Sequence, residues 1–179
     1  SDNTYLTDVS VSDESGFTTW GLGNTISSLA NAFKGCTNLT QVPAQLPSSI
    51  TDATSLFEGA TSFNQDLSTW SVQNVAIMAN MFKDATAFNE NITGWKTYSL
   101  TNASGMFNGA TIFNQDITSW VMSNAQDMSY MFANTPVFNQ DIGNWFISSA
   151  LSLNNMFQNA TAFDGNVSLW DTSLVTNMS

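Results

Sequence analysis

The stretch VAIMANMFKDATAFNENITGW, residues 75–95, decides how this chain is read. Its apolar residues Val75, Met78, Met81, Phe82 and Ala85 fall at i, i+3, i+6, i+7 and i+10, the spacing of one face of a helix of about three turns. Turn-prone polar residues then surround Phe88, which predicts a return loop with one buried aromatic. In the equivalent positions Leu67, Trp70 and Val72 the order is apolar-x-x-apolar-x-apolar, and this predicts a short strand. Asn74, Ser99, Asn124 and Ser149 stand where the helices would start and are expected to cap them.

The stretch recurs. Trp70, Trp95, Trp120, Trp145 and Trp170 return every 25 residues, with Trp20 two periods earlier. Phe57, Phe82, Phe107, Phe132 and Phe157 keep the same spacing, as do Phe63, Phe88, Phe113, Phe138 and Phe163. A fixed period of this size marks stacked structural units. The expected fold is an α/β solenoid, leucine-rich-repeat-like, with about six to seven coils of roughly 25 residues, each a short parallel strand plus a short helix.

Residues 1–19 are expected to form an N-terminal cap, 20–56 irregular first coils, and 57–179 regular repeats. In the irregular part Ile26, Leu29, Ala32 and Phe33 repeat the helix face, Leu46 takes the Trp position between Pro43 and Pro47, and Cys36 takes the slot of a small core alanine. The last coil reads as incomplete, with Trp170, Val175 and Met178 opening a unit that is expected to continue beyond Ser179.

Composition narrows the class of function. The chain has 179 residues, 42% hydrophobic and 12% aromatic, enough for a substantial core. Only 9% are charged, and Asn, Gln, Ser and Thr supply the polarity, as in secreted or surface-exposed repeat proteins. Three lysines stand against fourteen acids for a net charge of −11, which would repel nucleic acid and anionic lipid alike. A single cysteine excludes an internal disulfide. No apolar run reaches the roughly 18–20 residues that span a bilayer, so direct membrane insertion of this segment is not expected. No basic, then apolar leader follows Ser1, so an exported form would be a mature chain.

The motif Met-x-x-Met-Phe-x-x-Ala-Thr-x-Phe-Asn-Gln-Asp-Ile-x-x-Trp, clearest at Met78 to Trp95 and Met128 to Trp145, resembles the 25-residue repeat of the BspA-like leucine-rich-repeat surface proteins, a bacterial surface lipoprotein type. The resemblance covers roughly residues 20–179. It implies an extracellular or cell-surface protein, with adhesion or host interaction among the roles of the family, and it supplies no catalytic or binding residues. The chain departs from the pattern at Lys96 to Leu100 and at Thr135-Pro136.

Histidine is absent, which removes Ser-His-Asp catalysis and His-ligated metals. The column Asp66, Asn91, Asp116, Asp141 and Asn166 stacks acids on neighbouring coils, with Asp116 and Asp141 the candidates for a bridging cation or a glycosidase pair. Because Asp and Asn interchange along it, the column reads better as turn acceptors. The column Asn64, Asn89, Asn114 and Asn139, ending in Asp164, reads as satisfying backbone groups of the return loops. An inward Trp column argues against a sugar-stacking platform. The Thr column at Thr61, Thr86, Thr111 and Thr161 is interrupted by Pro136 and has no second column beside it, which weighs against ice binding. Six Asn-x-Ser/Thr sequons, at Asn38, Asn91, Asn102, Asn159, Asn166 and Asn177, follow from a composition rich in these residues.

Two functions remain. In the first, the chain is a non-enzymatic extracellular or cell-surface module for adhesion or protein recognition, contacting a protein or surface glycan ligand. It would use the residues that vary after each Trp: Ser71, Lys96, Val121, Phe146 and Asp171. In the second it is a structural subunit or spacer of a filament, appendage or virion that contacts other copies of itself. No cofactor is expected in either case.

Overall fold

A computed structural model describes Trp20 and residues 26–179. The cap expected over residues 1–19 lies outside the described residues. Within them the chain winds into stacked coils joined by one continuous row of parallel bridges, Ser28 to Asp52, then Ile77, Asn102, Asp127, Ser152 and Asn177. The first step of this row is 24 residues and every later one is 25.

The described residues contain no helix and no strand longer than an isolated bridge. The α/β solenoid with a strand and a helix in every coil is therefore overturned, and the leucine-rich-repeat architecture with it. The reason lies in where the backbone N–H groups of residues 78–85 go. Those of Met81, Lys83 and Ala85 close turns onto the carbonyls of Met78, Asn80 and Phe82. Those of Met78, Asn80, Phe82 and Asp84 leave the coil altogether and donate to Asn102, Ser104, Met106 and Asn108 of the next one, at 2.8–2.9 Å. An α-helix would need every one of them for its own i−4 carbonyl.

Backbone conformation enforces this choice. Asn31, Ser55, Asn80, Gly105, Tyr130 and Asn155 form a column of positive φ, and Gly35, Gly59, Asp84, Gly109, Asn134 and Asn159 form a second column four residues on. Two left-handed residues in each run cannot belong to a right-handed helix. Gly, Asn and Asp adopt this region at least cost, and they fill ten of the twelve positions named. Asn80 sits third in the turn 78–81 and Asp84 in 82–85, where a type II turn requires positive φ.

The inward positions are nevertheless those that the periodicity marks. Val75, Met78, Met81, Phe82 and Ala85 are all buried, because successive turns bring every third or fourth side chain to the same side just as a helix does. The expected strand is likewise a pair of turns, with Trp70 N–H closing onto Leu67 and Val75 N–H onto Val72. Asn74 and Asn124 cap nothing. Their side-chain amides donate to the carbonyls of Ser48 and Tyr98, one coil back, at 2.9 and 2.8 Å.

Aromatic columns fill the interior. Phe57, Phe82, Phe107 and Phe132 stack with ring centroids 5.4–5.8 Å apart, and Phe63, Phe88, Phe113 and Phe138 at 6.0–6.1 Å. Within a coil the two columns meet more closely, 3.9 Å between Phe107 and Phe113. The Trp side chains pack beside them, Trp95 on Trp120 at 5.9 Å and Trp120 on Phe107 at 6.1 Å. Offset or tilted contacts of this kind add to the burial of apolar area, which is the main stabilising term.

The irregular coils adjust locally. Leu46 is buried in the Trp slot, and Trp20 reaches across its coil to lie 5.9 Å from Trp70. Cys36, expected to pack as a core alanine does, is exposed. Thr135 takes the alanine slot in its own coil and is fully buried, which is possible because its hydroxyl donates to the carbonyl of Phe132.

Candidate functional site

Four side-chain columns run along the stack, and their hydrogen bonds show which are committed to structure. The first is the asparagine column. Asn64 Oδ1 accepts from the N–H of Asn89, Asn89 from Asn114, Asn114 from Asn139 and Asn139 from Asp164, at 2.8–2.9 Å. Gln115 and Gln140 reinforce it by donating to the backbone and side-chain oxygens of Asn89 and Asn114. The backbone groups satisfied are those of the next coil, so the column ties coils together as well as shaping a loop.

The second is the acid column. Oδ1 of Asp66, Asn91, Asp116, Asp141 and Asn166 each accepts from the N–H two residues on, at 2.8–3.2 Å. These are Asx turns, which either Asp or Asn can make. Asp116 and Asp141 are both exposed, and each has one oxygen engaged in its own turn. No group of three or more acidic or cysteine side chains is gathered to hold a metal ion among the described residues.

The turn bonds lower the carboxyl pKa of Asp66 and Asp116, chiefly through the backbone N–H of Ser68 and Thr118. A carboxylate with a depressed folded-state pKa contributes stability above its unfolded value, and this is lost as pH falls through the folded one. Both groups are close to fully solvated, so the contribution is small. Unfolding midpoints should be flat from pH 7 to about 4.5 and decline below about pH 4. The Asp66→Asn, Asp116→Asn double variant keeps both turns and should show a shallower decline; an identical acid limb in that variant would refute the assignment.

The third system is the Trp column. The indole N–H groups of Trp70, Trp95, Trp120, Trp145 and Trp170 donate to the carbonyls of Pro43, Leu67, Ile92, Ile117 and Ile142 one coil back, at 3.0–3.2 Å. The first four rings are buried and present no face to a sugar.

The fourth is the row immediately after each Trp. Burial alternates at Trp95, Lys96, Thr97 and Tyr98, and again at Trp145, Phe146 and Ile147, so Lys96, Tyr98 and Phe146 all point outward. Ser71, Lys96, Val121, Phe146 and Asp171 therefore form one outward column, Val121 half-buried and the others exposed. Phe146 is 82% exposed, whereas the other described phenylalanines are buried or half-buried. Tyr98, not singled out from sequence, lies on the same face at 52% exposure. The signal that could have found it is its position two residues after Lys96 in an in-out alternation. Lys34 and Lys83 flank Glu58 at 3.0 and 3.8 Å, while Lys96 has no ion-pair partner among the described residues.

These features define a tandem-repeat protein of helix-free, turn-built coils, with its recurring apolar side chains turned inward and a variable column turned out. Two overlapping matches, over residues 27–145 and 98–179, place most of the chain in a family described as "Mycoplasma protein of unknown function, DUF285". The chain belongs to this family. No curated protein and no solved structure matches it. No helix among the described residues is long and apolar enough to cross a membrane.

Proposed function

We propose that the chain is a non-enzymatic recognition module of a cell-surface or extracellular protein, and that it contacts a protein partner through the column Ser71, Lys96, Val121, Phe146 and Asp171. The observation that carries this reading is Phe146. In a fold that buries aromatics in columns, a phenylalanine left 82% exposed costs solvation, and centrally placed aromatics of this kind are the residues that dominate binding energy at interfaces. Its neighbours in the column change chemistry from coil to coil, while the columns beneath them do not. The likeness of the repeat motif to the BspA-like surface proteins supports the location, as does a polar, lightly charged composition.

The absence of histidine and the use of the Asp column in turns support a non-enzymatic role. Panning displayed peptides on the folded chain, with counter-selection on Phe146→Ser, is expected to yield binders that Phe146→Ala weakens by about 2 kcal/mol, roughly 30-fold. Binders indifferent to Phe146 would remove the basis of this reading. Ordered self-assembly in light scattering would favour the structural-subunit alternative instead.

A further inference from the structure

The outward column is ordered by charge. Beyond the neutral Ser71, Lys96 opens a charged stretch, Val121 and Phe146 follow on the next two coils, and Asp171 closes it, with Lys96 and Asp171 both exposed. Coils joined by parallel bridges stand about 5 Å apart, so this stretch runs about 15 Å from cation to carboxylate. Neither charge is neutralised by an ion pair among the described residues, since both ion pairs there involve Glu58. The Asp171 carboxylate is held in place by a turn, accepting from the N–H of Ser173 at 3.0 Å.

An extended peptide rises about 3.4 Å per residue and turns alternate side chains to one face. Its residues i, i+2 and i+4 thus span about 13.5 Å, close to the length of that stretch. We propose that this face docks an extended protein segment carrying an acidic, an apolar and a basic side chain at i, i+2 and i+4. The acid meets Lys96, the apolar side chain packs on Phe146 and Val121, and the base meets Asp171. Opposed charges placed this way select partners by penalising the wrong sign at each end, and a base beside Phe146 gains from the ring face as well. The proposal rests on the recognition face described above and adds the chemistry of its partner.

Three end-blocked peptides test it, Glu-Ser-Leu-Ser-Lys, Glu-Ser-Leu-Ser-Glu and Lys-Ser-Leu-Ser-Lys, each titrated into the intact chain with NMR resonances of Lys96, Val121, Phe146 and Asp171 as the readout. The first is expected to bind at least about fivefold more tightly than the other two at low salt, with the advantage shrinking as salt rises. Asp171→Lys should transfer the preference to the doubly acidic peptide, a gain that loss of folding cannot mimic. Equal affinity for all three, each still weakened by Phe146→Ala, would overturn the charge order and leave the face standing. Insensitivity of every peptide to Phe146→Ala would overturn both.

Discussion

Replacing Trp120 by alanine is expected to destabilise the chain by about 3–5 kcal/mol, the range for emptying a large aromatic site in a packed core. The ring is buried between coils, 5.9 Å from Trp95 and 6.1 Å from Phe107 by ring centroids. Its indole N–H also satisfies the Ile92 carbonyl at 3.2 Å, which the variant leaves without that donor. Collapse of the cavity is resisted because the coils on either side are pinned by the backbone bonds of the turn runs, such as Gly105 to Ser129 and Phe107 to Met131. In a stack each coil touches only its neighbours, so the loss should uncouple the two sides of the array and broaden the unfolding transition. Denaturant unfolding measures it, and a loss below about 1 kcal/mol would show that the Trp column is not a structural column.

The second large effect is one of sign. In a helix interior, glycine to alanine stabilises by about 0.5–1 kcal/mol. Gly109 lies within the run that the periodicity marks as helical, but its φ is +77°, and an added Cβ would come 2.2 Å from Asp84 Oδ1 and 3.5 Å from Asp84 Cα. Gly109→Ala is therefore expected to destabilise by about 1–2 kcal/mol, the left-handed penalty of a non-glycine residue, while the exposed Asp84 carboxylate turns aside to admit the methyl group. Gly109→Asn should lose less, since asparagine already occupies the same slot at Asn134 and Asn159. A stabilised Gly109→Ala variant would contradict the turn-built coil directly.

These two substitutions also separate what periodicity can and cannot reveal. Spacing alone places Trp120 in the core, where it is found, because an apolar column repeated at one period sees one environment. Gly109 belongs to a column equally visible in the sequence, Gly35, Gly59, Asp84, Gly109, Asn134 and Asn159. A glycine, asparagine or aspartate at the same place in every unit signals a left-handed residue, and a second such column four residues earlier excludes a helix. Apolar spacing of three and four does not discriminate, because consecutive turns produce it as well as a helix does.

The same distinction holds at the polar columns. That Asp66, Asn91, Asp116, Asp141 and Asn166 serve as turn acceptors was legible from the interchange of Asp with Asn, since only the shared Oδ1 can matter. That Asn74 and Asn124 reach back to the preceding coil was not legible, because a side chain that suits a helix start suits any carbonyl within range. The exposure of Cys36 is illegible for a related reason. Its alignment with a core alanine describes a slot, and whether the slot is covered depends on the neighbouring coil.

By itself, then, the sequence determined the period, most of the core and the position of the variable outward column, because apolar side chains that recur at one period meet one environment in a stack. Only the tertiary structure decided that the coils are runs of turns. Every second N–H of residues 78–85 finds its acceptor about 24 residues away, on a coil that exists only once the chain is wound. Local spacing carries no record of a partner that distant, so the choice between an internal i−4 bond and a bond to the next coil is made by the assembled stack.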